Sequence, residues 1–567
     1  MNGHAESHPS TGCAPLRPRE APIATGALGV WIWRRRWAVA LAACLSATIG
    51  GCVTGTPSPG DDAYSEARDA YRRGEHEAGF ETLLDLATRG HPQAQYTVGG
   101  IYSSGRGVPQ NLERAAWWYR MAAESGLPHA QYHVGWLYAN GRGVPQDREE
   151  AVRWYRMAAG QGHVDGLYAM GWSYRGGHGV PQDLAEAARW YRMAAERGHS
   201  TGQWALGRMY ARGDGVVQDF EEALTWFQEA AARGNPDAFH GLGWAHRTGR
   251  GVPQDHEAAI QWYRRAAERG HAAGQYWLGY MYARGEGVAR DGEGAARWYR
   301  LAAEQGHAGA QFQLGQMYHS GWGVPRDFEE AVRWYEQAAE QGHAQGQHHL
   351  GTMYHWGRGV PRDRDEARRW FLLAADKGLP EAETILSLIH RDGVGVPQDY
   401  AEALRWARRA AERGYAGAQD LLGGMYYFGM GVPQDPLEAV NWFLLAAEQD
   451  HASSQSVLGR MYLRGEGVAQ DYAEAVRWLR PAAESNHDWA QLNLGMMYGE
   501  GQGVPQDLVQ AWMWLEIAAS QSIPASAHRA RAAEVRDSLS HRMAPEEIAG
   551  ARSLAQAWLE AWRARFR

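Results

Sequence analysis

The sequence predicts an all-α solenoid of twelve helix-turn-helix repeats, each 36 residues long, with a helical cap at each end. One observation behind this prediction is a Gly-x-Gly-Val run that recurs at the same period without an insertion or deletion. Its valines are Val108, Val144, Val180, Val216, Val252, Val288, Val324, Val360, Val396, Val432, Val468 and Val504. The other observation is the helical spacing of apolar residues on both sides of the runs. A fixed period of this size is typical of stacked units that are each too small to bury a core alone.

Residues 1–51 are predicted to be a leader that contains a signal peptide. Arginines at 34–36 precede an apolar run, Trp37–Ile49, and two glycines then lead to Cys52. A charged, an apolar and a small-residue segment in this order are typical of a secretory signal, and the apolar run is too short to span a membrane comfortably. The sequence Ile-Gly-Gly-Cys resembles a bacterial lipobox. The resemblance implies that Cys52 is lipidated and becomes the first residue of the mature chain.

Two alternatives to lipidation at Cys52 remain open. The segment Leu41–Cys44 also fits the short lipobox pattern, although lipidation at Cys44 leaves only about half of the apolar run upstream. An uncleaved anchor or a plain leader is the other alternative. Since the three cysteines of the chain are Cys13, Cys44 and Cys52, the sequence after residue 52 can form no disulfide and no thiolate metal site.

Residues 52–61 are predicted to tether this lipid to the folded part of the chain. The segment Gly55–Gly60 contains two prolines and small residues, a composition typical of linkers. Val53, rather than Asp, follows Cys52, and under the usual sorting rule for bacterial lipoproteins this favours the outer membrane. We therefore expect a periplasmic chain whose contact with the membrane is limited to its N-terminal lipid.

The charge of the chain argues against a nucleic-acid partner. Asp and Glu number 65 against 57 Lys and Arg, the formal net charge is −8, and no basic block occurs in the repeats. Proteins that bind nucleic acids usually carry a basic patch or stripe.

One repeat shows how the local sequence predicts two helices and a loop. Residues 130–139 carry apolar side chains at helical spacing and are predicted to form the first helix of the unit, helix A. Gly141 and Gly143 are expected to supply positive φ angles in the loop that follows. Asp147 is expected to cap the second helix, helix B, and Glu150 to complete a capping box with it. Asp or Asn stands at this cap position in all twelve units.

Gly162 is expected to end helix B in the left-handed conformation. Three units lack this glycine and have Asp450, Asn486 and Ser522 in its place. Asp and Asn tolerate the left-handed region better than other residues that carry a side chain, so we expect the fold to survive these replacements.

Helix B contains positions that hold the same residue type in all twelve units. Ala115, Trp118 and the pair Ala122–Ala123 represent them in the first unit. Small side chains let neighbouring helices approach closely, and we expect each indole ring to fill the core rather than to line a ligand cage. Eight of the 24 histidines occur at the entrance to helix A, from His91 to His487, and their regular recurrence predicts a structural role in the turn.

The two ends of the chain depart from the repeat. Residues 62–90 lack the glycine loop and are predicted to form N-terminal capping helices before the twelve repeats of residues 91–521. Residues 522–567 break the period and are predicted to form C-terminal capping helices, because the end units of a solenoid need a polar outer face. The last helix has an apolar side that is expected to pack on the stack: Ile548, Leu554, Trp558, Leu559 and Trp562.

Units such as AQYHVGWLYANGRGVPQDREEAVRWYRMAAGQGH resemble the Sel-one-like repeat family, a relative of the tetratricopeptide repeats. The resemblance covers roughly residues 91–520. It implies antiparallel helix pairs wound into a right-handed superhelix with helix A on the inner side. It also implies an adaptor that holds peptides or other proteins. Some secreted relatives carry a disulfide in each repeat, which this chain lacks the cysteines to form.

In a repeat protein the positions that vary among units are expected to carry specificity. On helix A, the residue that follows Gly99, and its equivalent in each later unit, differs from unit to unit. We call this site in the repeat the variable position. It is occupied in chain order by Gly100, Trp136, Trp172, Arg208, Trp244, Tyr280, Gln316, Thr352, Leu388, Gly424, Arg460 and Met496. Trp277 precedes Tyr280 by three residues and is expected to share its side of the helix.

Trp136, Trp172, Arg208, Trp244, Trp277 and Tyr280 are therefore the candidates for partner binding, on a strip that is concave if the family resemblance holds. Exposed aromatic rings with interspersed arginines are typical anchors of interfaces. The alternative, that these rings pack between neighbouring A helices, remains open. Trp322 and Trp356 are weaker candidates of the same kind.

These observations favour a non-enzymatic scaffold, anchored in the envelope by a lipid, that binds another protein or an extended peptide along the A helices. One alternative is an assembly lipoprotein for exopolysaccharide or cell-wall machinery, which could also bind glycan on the aromatic strip. Another is a cell-wall hydrolase, but no catalytic motif occurs. No cofactor is expected. No metal site is expected either, since the spaced pair His129 and His133 has no third ligand.

Overall fold

The computed structural model describes residues 59–520 and 527–564, and within them it contains 28 α-helices and no strand. The predicted leader, Cys52 and Ser522 lie outside the described residues, as does most of the predicted tether. The twelve repeats within the described part confirm the predicted all-α solenoid.

The helices are numbered here in chain order. The pair before the first repeat is α1 (Pro59–Arg72) and α2 (His76–Thr88). The A helices are α3 (Pro92–Ser104), α5 (Pro128–Asn140), α7 (Val164–Gly176), α9 (Ser200–Arg212), α11 (Pro236–Thr248), α13 (Ala272–Arg284), α15 (Ala308–Ser320), α17 (Ala344–Trp356), α19 (Pro380–Asp392), α21 (Ala416–Phe428), α23 (Ala452–Arg464) and α25 (Asp488–Glu500). The B helices are α4 (Leu112–Glu124), α6 (Arg148–Gly160), α8 (Leu184–Glu196), α10 (Phe220–Ala232), α12 (His256–Glu268), α14 (Gly292–Glu304), α16 (Phe328–Glu340), α18 (Arg364–Asp376), α20 (Tyr400–Glu412), α22 (Pro436–Ala447), α24 (Tyr472–Glu484) and α26 (Leu508–Ala519). The last two helices are α27 (Ala527–Ser540) and α28 (Pro545–Ala564).

The helices form two compact parts of the chain, one that ends at Ser125 and one that begins at Gly126. In the N-terminal part, α1 packs on α2, α2 on α3 and α3 on α4. In the C-terminal part, each helix from α5 to α26 packs on the helix that follows it in the chain. This order of packing, in which α1–α4 and α5–α27 each contact their neighbours in sequence, is what a solenoid requires.

Each helix B begins at a side-chain cap, as predicted. The Asp147 carboxylate accepts the backbone N–H of Glu150 at 3.0 Å, and the equivalent bond forms in all twelve units. The second half of the predicted capping box is wrong. The backbone N–H of Asp147 donates to the carbonyl of Tyr138 in helix A at 2.9 Å, so it is not left for Glu150. The Glu150 carboxylate instead accepts from Arg153 at 3.0 Å.

The loop between the two helices is held by its glycines and one glutamine. Gly141 and Gly143 have φ angles of +64° and +71°, which confirms the predicted positive values. Gln146 donates from Nε2 to the carbonyl of Ala139 at 2.8 Å, so a free carbonyl in the last turn of helix A gains a donor. The role of this glutamine was missed in the sequence, although it recurs in most units.

The end of helix B also follows the prediction. Gly162 has a φ angle of +78°, and the residues that replace it in two later units, Asp450 and Asn486, adopt +61° and +67°. They are the only residues other than glycine with positive φ among those that the structure describes.

The repeated Trp and Ala residues form the core, as expected. The indoles of Trp118, Trp154, Trp370, Trp478 and Trp514 are buried, and those of the other seven units are partly buried. The glycine before the variable position allows helix A to contact an aromatic ring of helix B. A Cβ atom at Gly135 would lie 2.6 Å from Cδ1 of Tyr155, closer than two carbon atoms can approach.

The recurring histidine caps helix A. Nδ1 of His199 accepts the backbone N–H of Gly202 at 2.9 Å, and its Nε2 bonds Asp165 of the preceding unit at 3.2 Å. The ring also stacks on Tyr168 with 4.7 Å between centroids. Seven of the eight histidines accept the same backbone bond, and His487 does not. The structural role predicted for these residues is thereby seen in atomic contacts.

The ends of the described chain are helical. Helix α1 begins at Pro59, so the last residues of the predicted tether belong to a helix whose first turn is favoured by Asp61 and Asp62. Helix α28 packs on α26 through Trp558 and Leu559. The expectation that Leu554 shares this contact is wrong.

Leu554 is 45% exposed, whereas Ala551 and Ala555 of the same helix are buried.

Candidate interaction surface

The twelve residues at the variable position lie at the border between core and solvent. None of them is buried, and the most exposed of them is Trp172 at 37%. Trp136, Trp244 and Tyr280 rest against hydrophobic clusters while part of each side chain stays accessible. Each of these rings therefore packs on the core with one side and can contact a partner with the other.

The candidate residues of the second to sixth units form a strip of aromatic rings and guanidinium groups, which we call the aromatic strip: Trp136, Trp172, Arg208, Trp244, Trp277 and Tyr280. Arg142 lies over the Trp136 ring at 5.5 Å, and Arg250 lies over the Trp244 ring at 5.2 Å. The Trp172 ring contacts that of His178 with 4.1 Å between centroids. These contacts restrict the orientations that the rings can adopt.

Arg208 is the charged member of the strip that lacks an internal partner. Its guanidinium lies over the Trp204 ring at 4.8 Å, and its buried Nε has no hydrogen-bond acceptor. Within the described residues it forms no ion pair. Trp172 and Trp244 occupy the variable position of the units on either side. Arg208 is therefore a cation that no carboxylate of the described residues neutralises.

The sixth unit contains a denser cluster. Trp277 and Tyr280 are in edge-on contact at 5.2 Å, so they share one side of α13 as predicted. The Arg247 guanidinium lies 4.4 Å from the Trp277 centroid and 3.9 Å from the Glu286 carboxylate. Because Glu286 already balances its charge, Arg247 serves mainly to fix the two rings.

Two pockets open on the A helices of the eighth to eleventh units, where Trp356 is the one residue that the sequence suggested as a binding candidate. The smaller pocket, about 250 Å³, lies between α17 and α19 and is bordered by Trp356, which is 59% exposed. The larger pocket, about 370 Å³, is lined by α19, α21 and α23. Leu388 lines both pockets, so they are neighbours. The feature of the sequence that could have indicated the larger pocket is Gly424, the glycine at the variable position of the tenth unit.

The larger pocket combines apolar walls with one unpaired cation. Arg391 in its wall pairs with Asp392 at 2.7 Å, and Asp420 accepts a hydrogen bond from Ser454 at 2.6 Å. Arg460 lies over the Tyr427 ring at 5.3 Å. In the described part of the chain, Arg460 has neither a hydrogen bond nor an ion pair, and its Nε is buried. The wall of the pocket thus holds Arg460 without an ion pair on α23 and the Asp420 carboxylate on α21.

The histidines of the A helices belong to the core rather than to a chemical site. Burial lowers the pKa of His240 to about 4, with repulsion from His271 as a smaller cause. Burial likewise lowers the pKa of His349 to about 4, and this ring contacts Tyr335 at 5.3 Å. Both histidines are neutral at physiological pH. No group of three or more His, Cys, Asp or Glu in residues 59–520 and 527–564 is arranged to hold a metal ion.

One fully buried carboxylate, Glu383 in the ninth unit, is bound by two arginines and is not free to act as a catalytic acid. It contacts Arg413, and Arg409 reaches it at 2.7 Å while also donating to the Ala375 carbonyl at 3.0 Å. In most other units a glutamine stands here and makes the bond to that carbonyl, as Gln419 does to Ala411. The Glu383 cluster therefore replaces a structural contact of the repeat.

In the described ranges, none of the helices combines the length and the apolar character that crossing a bilayer demands. This finding concerns residues 59–520 and 527–564, and the predicted signal segment precedes them.

Comparison with known proteins places the repeat in a family. Twelve consecutive segments match the model of the Sel1 repeat, from residues 92–127 to residues 490–523. A crystal structure of a protective antigen from uropathogenic Escherichia coli strains, described as displaying an SLR fold, is 35% identical. The match covers 78% of this chain and 94% of that chain, with a TM-score of 0.63.

Two further proteins are similar over less of this chain. The structure of a Sel1 repeat protein from Oxalobacter formigenes is 32% identical and covers 62% of this chain and 99% of that chain, with a TM-score of 0.43. The chitin synthase regulator SKT5 of Saccharomyces cerevisiae is 42% identical over 57 residues. That match covers 10% of this chain and 8% of the yeast regulator, so it extends to less than two repeats.

Proposed function

Because the chain belongs to the Sel1 repeat family, whose members generally mediate protein–protein interaction, we propose that it is a scaffold that binds a partner protein or an extended peptide along its A helices. The solenoid fold of this family is typically non-catalytic. The observation that supports the proposal is the aromatic strip, in which consecutive units present half-exposed rings at one repeat position, with the unpaired Arg208 among them.

The composition of the strip indicates the chemistry of the partner segment. Indole and phenol rings favour apolar or aromatic side chains, and Arg208 favours a carboxylate. A ring buried by a partner at the centre of an interface contributes on the order of 2 kcal/mol. Rings in consecutive units offer repeated anchors to an extended segment, whereas a small ligand could use only one or two of them.

The proposed location is the periplasmic face of the outer membrane, with Cys52 lipidated. The apolar run before Cys52 and the lipobox-like sequence support this part of the proposal. The variant Cys52→Ser should move the protein from the membrane fraction to the soluble periplasm. If the variant remained with the membrane, the assignment of Cys52 would be wrong.

A narrower version assigns the partner to machinery that synthesises exopolysaccharide or the cell wall. The yeast protein that matches a short part of this chain regulates chitin synthase. Trp172, at 37% exposed, is a ring on which a glycan could stack. This version predicts that the protein cross-linked to the aromatic strip is a subunit of a synthase rather than an unrelated envelope protein.

Cross-linking in cells followed by mass spectrometry tests the proposal. The double variant Trp136→Ala with Trp172→Ala should lose the principal cross-linked partner while its thermal unfolding temperature stays close to that of the wild type. Trp117→Ala is the matched control, since Trp117 is 47% exposed on the B helix α4 and lies outside the strip. Unchanged cross-linking in the double variant, or a loss in the control of the same size, would overturn the assignment of the strip. A large drop in unfolding temperature would show that the rings belong to the core.

A further inference from the structure

We propose that the larger pocket on α19, α21 and α23 binds the C-terminal residue of a partner peptide. The apolar side chain of that residue occupies the space over Gly424, and its carboxylate pairs with Arg460. This site is separate from the aromatic strip, so the inference goes beyond the proposed function and stands on the residues of the pocket alone.

The space in the pocket exists because the tenth unit has no side chain at its variable position. A Cβ atom at Gly424 would meet nothing within 4 Å, whereas the equivalent residue one unit earlier is Leu388. Leu388, Leu421 and Val457 form apolar walls, and Phe428 borders the opening with 62% of its surface exposed. A pocket of about 370 Å³ is near the lower limit for small-ligand sites, which suits one residue rather than a whole folded partner.

Arg460 is the group in the pocket wall that is available to bind a carboxylate. Arg460 has a buried Nε without an acceptor, and its guanidinium carbon lies 5.3 Å from the centre of the Tyr427 ring. A carboxylate accepts two parallel bonds from a guanidinium plane. The other arginine of the wall, Arg391, is already paired with Asp392. Arg460 can thus pair with the carboxylate of a ligand, while Asp420 of the same pocket can accept a hydrogen bond from its backbone.

The polar groups of the pocket favour a peptide over a fatty acid as the source of that carboxylate. Asp420, Ser453 and Thr384 line the walls together with the apolar side chains. A peptide backbone can donate its N–H to the Asp420 carboxylate in addition to the bond from Ser454, whereas an alkyl chain offers no donor.

The smaller pocket continues the site. It shares Leu388 with the larger one and is bordered by the exposed ring of Trp356. Neighbouring packed helices are roughly 8–10 Å apart, so the pocket centres are separated by on the order of 10–15 Å. An extended peptide advances about 3.3 Å per residue. The peptide is therefore expected to carry a second apolar residue roughly four positions before its C-terminus.

The test uses the full chain immobilised on a support and a synthetic library of random hexapeptides, prepared once with free C-terminal carboxylates and once as amides. Retained peptides are identified by mass spectrometry. The free-acid library should be enriched in peptides with Leu, Phe or another large apolar residue at the last position, and the amide library should not. Affinities of individual enriched peptides are then measured by fluorescence anisotropy.

Two variants test the apolar space and the charge of the site, and a third variant is the matched control. Gly424→Leu copies the residue of the preceding unit, so it should fill the space and abolish retention without loss of helix content. Arg460→Gln should weaken binding of the free acid about tenfold or more and remove its advantage over the amide, a readout that a purely structural role would not change. Arg464→Gln removes the same charge from the same helix outside the pocket and should bind like the wild type.

Three results would overturn the proposal. The first is equal retention of the two libraries, and the second is free-acid binding that survives Arg460→Gln. The third is binding of laurate, with a dependence on Gly424 and Arg460, in the absence of any peptide binding. The variants Trp136→Ala and Trp172→Ala should leave peptide retention unchanged. A failure of this site is thereby distinguished from a failure of the aromatic strip, because each is tested by variants that do not touch the other.

Discussion

Replacing His240 with tyrosine should make the fold more resistant to acid. Nε2 of His240 is buried without a hydrogen-bond partner, and the ring lies 5.5 Å from that of His271 and 5.8 Å from that of Tyr263. Burial is the main reason that the pKa falls to about 4, and Asp237 only partly offsets the repulsion from neighbouring histidines. Tyrosine occupies the equivalent position in the next unit, Tyr276, so the substitution copies a residue that the repeat already accommodates.

The size of the effect follows from proton linkage. In the unfolded chain the imidazole binds a proton below its ordinary pKa of 6.5, whereas in the folded chain it stays neutral until the pH approaches about 4. The stability associated with neutral His240 is therefore complete above pH 6.5 and is lost as the pH falls toward 4. For one histidine the free energy of unfolding decreases by about 2 kcal/mol between pH 7 and pH 5. His349, with the same shift, adds a similar loss that both proteins share.

Urea unfolding followed by circular dichroism at pH 7 and pH 5 measures this difference. The loss of unfolding free energy between the two pH values should be about 2 kcal/mol smaller in His240→Tyr than in the wild type. Because a solenoid can open locally, hydrogen exchange in α11 and α13 should show the same gain in protection at pH 5. His240→Gln is the control for the loss of charge without the aromatic ring. Equal pH dependence in wild type and His240→Tyr would refute the reasoning.

Three further predictions concern the repeat itself, and thermal and urea unfolding check each of them. Asp147→Ala should cost about 1 kcal/mol, because the first turn of α6 loses its cap. Gly135→Ala should cost about 1–3 kcal/mol, since the new Cβ meets the Tyr155 ring, and a change within error would contradict the packing described. Asp450→Gly should raise stability by about 0.5 kcal/mol because the φ angle there is +61°, and a loss would show that its side chain has a role.

Most of the fold could be predicted because the same helix caps, loop glycines and core residues recur in every repeat or nearly every repeat. The period located the helices of the twelve repeats, the cap at Asp147 was visible as Asp or Asn in each unit, and Gly162 with its replacements marked where helix B ends. The reciprocal bond from Glu150 could not be predicted correctly. It depends on the competing carbonyl of Tyr138, which only the folded loop brings within reach of the Asp147 N–H.

The candidate surface could be predicted only in part. The variable position was recognised because its residue changes while its neighbours do not, and the half-exposed rings of Trp136 and Trp172 agree with that choice. The pocket was missed because it depends on an absent side chain, Gly424, and on which arginine is left unpaired. The sequence shows Arg391 and Arg460 as equivalent charges, and only the contact of Arg391 with Asp392 separates them.

The pockets flank the unit in which the repeat departs most from its own pattern, and the departures compensate one another. Ser387 stands where the other units have the packing glycine, and the ring that this glycine would contact is replaced by the buried Ala407. The Ser387 hydroxyl donates to the Ala403 carbonyl at 2.7 Å, so the added polar atom is satisfied. One larger and one smaller residue thus keep the core of the ninth unit filled, while the adjacent Leu388 lines both pockets. A solenoid that stacks nearly uniform units can create a distinct site only where such paired changes let the surface differ without opening the core.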